Sequence, residues 1–199
     1  MNWLAHAFLS KPGPEFQLGN LLADLLRGPD RDGLHPEILR GMACHQSIDA
    51  FTDHHPVTHR SKARISPEYR RYAGILVDIF YDHFLATSWL HYADESLSEF
   101  AANTYRVAST HMTMLPPKAQ MALRYMIKED WLGSYARLDG VDAALERVSE
   151  RLRRRTTFRH RTLEGSLIEL SENYEALAAD FAEFFPDLQA HVDAWLQGA

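Results

Sequence analysis

A chain of 199 residues, 46% hydrophobic and 24% charged, fits one globular domain with a sizeable core. Its single cysteine, Cys44, excludes an internal disulfide framework, and no apolar run approaches the roughly 18 residues needed to span a bilayer. The net charge of −6 disfavours non-specific binding to nucleic acid, and the start, Met1 to Leu9, lacks the basic region of a secretory signal, so a cytoplasmic protein is expected.

In chain order, Phe16, Leu18, Leu21, Leu22, Leu25 and Leu26 form an apolar helical stripe closed by Gly28-Pro29. A second helix is predicted from His35-Pro36 to about Asp53, with Pro56 as its stop, and a third continues from Pro56 for two turns. The longest is predicted from Ser66-Pro67 to Tyr92, with Ser66 as N-cap and Pro67 as first helical residue. Further helices fit residues 94–114, 117–137, 139–155, 158–184 and 186–197. Leu163, Leu167, Leu170, Tyr174, Leu177, Phe181 and Phe184, spaced by threes and fours, mark a core-facing stripe. Strand alternation and hairpin turns are absent. The expectation is one compact all-α helical bundle spanning 1–199.

Three segments set polar residues at helical spacing among apolar neighbours. Asn20 and Asp24 are four apart in Gly19-Asn20-Leu21-Leu22-Ala23-Asp24. His45, Asp49 and Asp53 form an i, i+4, i+8 ladder. Asp78, Asp82 and His83 interrupt Val77-Asp78-Ile79-Phe80-Tyr81-Asp82-His83-Phe84-Leu85, where two stacked acids need something positive, a divalent metal or a basic side chain, to sit in an apolar run. His6, in the apolar N-terminal segment, is a fourth candidate contributor. Imidazole with carboxylate suits Mn²⁺, Fe²⁺ or Zn²⁺, and carboxylate-rich sites suit Mg²⁺ or Mn²⁺. The competing reading pairs the acids with arginines or backbone N–H groups, with Asp24 on Arg27 and Asp53 at the turn into His54-His55-Pro56. Residues 147–161 hold seven arginines against the single Glu150, which reads as a solvated face or as a docking patch for an acidic or phosphate-bearing partner.

These segments together resemble the acyl carrier protein phosphodiesterase family. The resemblance rests on Asn2-x-Leu4-Ala5-His6, the Gly19–Asp24 run followed by Arg27-Gly28, and His45-x-x-Ile48-Asp49-x-x-Thr52-Asp53. Asp78-x-x-x-Asp82-His83-Phe84-Leu85 with Trp89, and Trp131-x-x-x-Tyr135, complete it. It implies a divergent HD-domain-like helical fold and a hydrolase that removes 4′-phosphopantetheine from holo-acyl carrier protein with a divalent metal, Mn²⁺ or Mg²⁺; the usual adjacent His-Asp dipeptide is missing, and Asp82-His83 runs in the reverse order.

On this reading Asp24, His45, Asp49 and Asp78 are the expected metal ligands, and His6, Asp82 and His83 the catalytic candidates. His6 or His83 would protonate the departing serine oxygen, and Asp82 would orient a histidine or a water. Arg151, Arg154, Arg155 and Arg159 are expected to meet the acidic carrier protein. Two other readings are an HD-like phosphohydrolase of a nucleotide or small phosphoester, and a non-catalytic helical interaction module.

Overall fold

A computed structural model describes residues 1–10, 13–155 and 163–198, the side chains of 154 and 155 excepted. Among them there are twelve α-helices and no strand, so the fold is all-α. They are α1 (Trp3–Phe8), α2 (Pro14–Leu22), α3 (Pro36–His54), α4 (Pro56–Arg64), α5 (Ala73–Thr87) and α6 (Trp89–Tyr92). There follow α7 (Leu97–His111), α8 (Pro117–Lys128), α9 (Trp131–Ser134), α10 (Leu138–Arg155), α11 (Leu167–Glu172) and α12 (Tyr174–Gly198). No helix among the described residues is long and apolar enough to cross a membrane.

The bundle is built around α5. Its Leu76, Val77, Ile79, Phe80, Tyr81, Phe84 and Leu85 are all buried, as expected of a helix that is apolar on nearly every side. It packs against α1, α4, α10 and α12. Phe181, Phe184 and Phe185 of α12 are buried too, and Phe181 and Phe184 meet the Tyr81 ring at 5.4 Å each. A charged clamp ties α12 to α4. Buried Asp180 accepts from Arg60 Nε at 2.7 Å, Ser61 Oγ at 2.8 Å and Arg64 Nε at 2.9 Å.

Helices α2 and α3 cross at glycines. A Cβ added at Gly19 would overlap the Ile38 carbonyl, and one at Gly41 would overlap the Phe16 carbonyl and the Asn20 amide. The two backbones therefore touch, which brings residues 20–24 against residues 41–49.

Several boundaries differ from the sequence expectation, among them a break at Ser88 that divides the expected 66–92 helix into α5 and α6. The helix expected from Ser66 begins at Ala73, after a 3₁₀ turn at Arg70–Tyr72. The Ser66 N–H is held instead by the Glu169 carboxylate at 2.9 Å, and Arg70 Nε donates to the Ile65 carbonyl at 3.0 Å, so side chains fix that entry as a turn. The 117–137 segment is split at Asp130, whose φ of 46° is left-handed; its carboxylate accepts from the Tyr105 hydroxyl and the Gly133 N–H. Near the C-terminus, the split falls at Asn173 and α12 runs straight through Pro186. Burial of Phe181, Phe184 and Phe185 before it and Leu188 and Val192 after it holds both halves on one core, offsetting the lost hydrogen bond.

Candidate metal centre

Helix α1 has only six residues, too few to persist alone, and its free N-terminal amides need partners. Asp82, fully buried on α5, supplies one. Its carboxylate accepts from the Leu4 N–H at 2.7 Å and from those of Asn2 and Ala5 at 3.3 Å each. Burial pushes the Asp82 carboxyl up to about 7 in spite of these bonds. The anchored helix then presents His6 to the α2–α3 crossing.

His6 and His45 stack there, with ring centroids 3.8 Å apart and planes 18° from parallel. Asn20 holds both rings. The His45 Nδ1–H donates to the Asn20 carbonyl at 2.7 Å; a carbonyl cannot donate, so the proton is on Nδ1. His6 Nδ1 lies 2.9 Å from Asn20 Oδ1. The orientation of that amide follows from its other end. Ser10 gives its hydroxyl proton to the His6 carbonyl at 2.6 Å and so accepts from Asn20 Nδ2 at 3.0 Å, leaving Oδ1 to accept from His6 Nδ1–H.

Both Nε2 atoms are thereby turned toward Asp49. Each lies 3.2 Å from one of its carboxylate oxygens, yet both are buried with no hydrogen-bond partner. Burial, the neighbouring His45 and the Met1 ammonium outweigh Asp49 and hold the His6 imidazole at a pKa of about 4, so it is neutral at pH 7 with a lone pair on Nε2. Burial opposes the Asp49 charge, but the two histidines and the ammonium prevail and hold its carboxyl far below the usual range. Two imidazole nitrogens and an anionic oxygen converge here, all within 4.8 Å of one another. This donor set fits a divalent cation of the Mn²⁺, Fe²⁺ or Zn²⁺ kind. Asp24, exposed in the turn after α2, places an oxygen 3.9 Å from His45 Nε2 and can complete the set.

The other candidates lie at or beyond the margin. Asp78, half-buried, faces the Met1 α-ammonium at 3.0 Å, and that ammonium is 3.6 Å from Asp49. Asp53 is exposed and pairs with Lys62 at 2.7 Å, away from the two rings. His83 stands outside the cluster: Nδ1 donates to the Tyr135 carbonyl at 2.8 Å, and Nε2 accepts from the Tyr174 hydroxyl at 3.0 Å. Burial lowers its pKa. Arg151 is exposed on α10, while the side chains of Arg154 and Arg155, and Arg159 entirely, lie outside the described residues. The residue that sequence reasoning left off the site is Asn20. Its spacing of four from Asp24 was visible, but its grip on two rings from other helices was not.

A family model described as acyl carrier protein phosphodiesterase matches residues 1–188. The chain belongs to this family. Among its relatives, an acyl carrier protein phosphodiesterase of Serratia proteamaculans is 33% identical over 189 residues, covering 94% of this chain and 95% of that one. Those of Yersinia enterocolitica and Escherichia coli are each 31% identical over 191 residues, covering 96% of both chains. No solved structure matches. Five of the residues that carry the family resemblance in sequence, His6, Asn20, Asp24, His45 and Asp49, are gathered by the fold around the α2–α3 crossing.

Proposed function

We propose that this chain hydrolyses the phosphodiester joining 4′-phosphopantetheine to a serine of holo-acyl carrier protein, releasing apo-carrier and 4′-phosphopantetheine, and that it needs a divalent cation, Mn²⁺ or Mg²⁺, to do so. The observation that carries this reading is the convergence of the unpartnered His6 and His45 Nε2 atoms on Asp49. The substrate comes from the names of the relatives.

His6, His45, Asp49 and Asp24 would hold the cation. When bound it would supply Lewis-acid stabilisation of the phosphoryl oxygens and make a water more acidic. Asn20 fixes both imidazoles with Nδ1 protonated and Nε2 facing the site, so no side-chain reorganisation precedes binding. Asp49 stays anionic throughout the physiological range. Asp24, exposed at the mouth, is the donor a substrate would meet first. Asp82 serves by anchoring α1 and with it His6, and His83 by bracing α5 against Tyr135 and Tyr174; both are positioning residues in this scheme. Arg151 and the basic stretch after it attract the acidic carrier and orient it.

Incubating holo-carrier protein with the chain and Mn²⁺, followed by mass spectrometry, tests the reading. The expected result is loss of the phosphopantetheine mass, abolished by EDTA and by Asp49→Asn. Undiminished turnover with EDTA refutes the cation. An intact holo-carrier alongside rapid hydrolysis in a nucleotide panel refutes the substrate.

A further inference from the structure

A trench runs across the face formed by α8, α9 and α10, and apart from Arg151 none of the residues assigned above lines it. Its inner stretch, about 140 Å³, begins at Asn2, which opens the helix that carries His6, and at Leu25, which follows Asp24. Its outer stretch widens to about 870 Å³ beside Tyr125 and Lys118. The two adjoin, sharing Leu25, Trp131, Arg147 and Arg151 as walls.

The inner stretch has room for about four or five waters. That is enough for a short segment of a flexible chain and little for a whole nucleoside. Its walls are apolar and fixed. The Trp131 ring meets Trp3 edge-on at 5.5 Å, carries the Arg147 guanidinium 4.6 Å above its face, and donates its indole N–H to Glu129 at 2.9 Å. Leu25 and Ala122 line the same stretch. The outer stretch is lined by four basic and four acidic side chains, so its charge is balanced and it favours an uncharged occupant over a polyanion.

We propose that this trench binds the pantetheine arm of the substrate, threading it from the phosphate at the metal centre past Trp131 to the wide outer stretch. The proposal rests on the phosphodiesterase reading for its substrate. The arm matches the trench in order. Beyond the phosphate come a quaternary carbon with two methyls, suited to Leu25 and the indole face, then a hydroxyl and two amides, suited to the polar rims, and a terminal thiol. All of it beyond the phosphate is neutral and linear. The trench thus disfavours nucleotide diesters by the small volume of its inner stretch and by its balanced charge, while the carrier protein itself remains outside.

Two measurements test this. In the first, free pantetheine is titrated into the wild-type protein with ¹⁵N-labelled tryptophan, the Trp131 indole signal being assigned with Trp131→Phe. A saturable shift of that signal is expected, and its absence overturns the proposal. In the second, Ala122→Trp, shown to be folded by circular dichroism, fills the inner stretch. Loss of the pantetheine-induced shift and a fall of at least about tenfold in kcat/KM on holo-carrier are expected, since blocking an arm's path removes contacts worth well over 1.4 kcal/mol. Wild-type kcat/KM in the folded variant overturns the proposal. The two readings fail separately. If the wild-type protein leaves holo-carrier intact yet pantetheine saturates the Trp131 shift, the phosphodiesterase reading falls and the trench stands. If holo-carrier is cleaved without any Trp131 response, the trench falls and the phosphodiesterase reading stands.

Discussion

Gly41→Ala should damage the proposed metal centre without touching any of its donors. The new Cβ would overlap the Phe16 carbonyl and the Asn20 amide, which are backbone atoms and have no rotamer to move into. The helices must part. Overpacking of this kind costs about 1–3 kcal/mol, and a clash with backbone belongs at the upper end. Alanine recovers about 1 kcal/mol of helix propensity relative to glycine. The net loss of about 2 kcal/mol lowers Tm by about 4–8 °C in a chain of this size. Parting α2 from α3 also draws the Asn20 carbonyl away from His45 Nδ1, now 2.7 Å apart, so Mn²⁺ affinity should fall about 10–100-fold as for other lost orienting bonds. The assay is thermal unfolding with and without Mn²⁺. At a hundred times its Kd, Mn²⁺ should stabilise the wild-type protein by about 2.7 kcal/mol, or about 5–11 °C. Gly198→Ala, where a Cβ meets nothing within 4 Å, is the control and should stay within about 0.5 kcal/mol of wild type. A Gly41→Ala protein as stable as the control refutes the overlap argument. One with lowered Tm but an unchanged Mn²⁺ response refutes the claim that the crossing sets the site.

Three further outcomes are expected. His83→Gln should lower Tm, through loss of the bonds to Tyr135 and Tyr174, and leave the pH profile of kcat unchanged; loss of one limb of that profile at unchanged Tm would restore His83 as the proton donor. Asp180→Asn should cost about 2–3 kcal/mol by unpairing Arg60 and Arg64, discounted because both arginines are partly exposed. Burial works against the Asp180 charge, but Arg64, Ser61 and Arg60 hold its pKa below the ordinary 3.8, so its contribution is present above pH 3.8 and lost as pH falls through the folded value. Wild-type and variant Tm values should therefore converge in acid, and a gap that persists there contradicts the assignment. Reversing charge at Arg154 and Arg155 should raise KM for the carrier with little change in kcat, an effect that shrinks with salt; an unchanged KM removes the docking role.

Helical periodicity made the fold class legible, because apolar residues at three and four apart admit few other arrangements. It could not place ends fixed by distant side chains, such as the Glu169 carboxylate on the Ser66 N–H. The pairing of His45 with Asp49 was visible as a single i, i+4 step. Extending the ladder to Asp53 ignored helix geometry: each four-residue step turns about 40°, so by the second step the side chain has rotated about 80° off the face. Asp53 accordingly meets Lys62 in solvent. The need for positive charge near Asp78 and Asp82 was also legible from their burial in an apolar run. Its source was not, since the Met1 ammonium and the α1 amides come from almost 80 residues away. Asn20 illustrates the same limit, because one of its two grips uses a backbone carbonyl, which every residue possesses.

The glycine crossing divides the centre in time as well as in space. Asn20, Asp24, His45 and Asp49 lie within one stretch of chain whose two helices pack directly on each other, so closing that loop costs little entropy. His6 arrives only when α1 docks on Asp82, across 77–80 residues. Contacts of such long range form late in folding. During refolding the α2–α3 pair would therefore offer His45 and the two carboxylates to solvent before the second imidazole closes over them, so a full set of donors for the proposed ion would exist only after the last docking step.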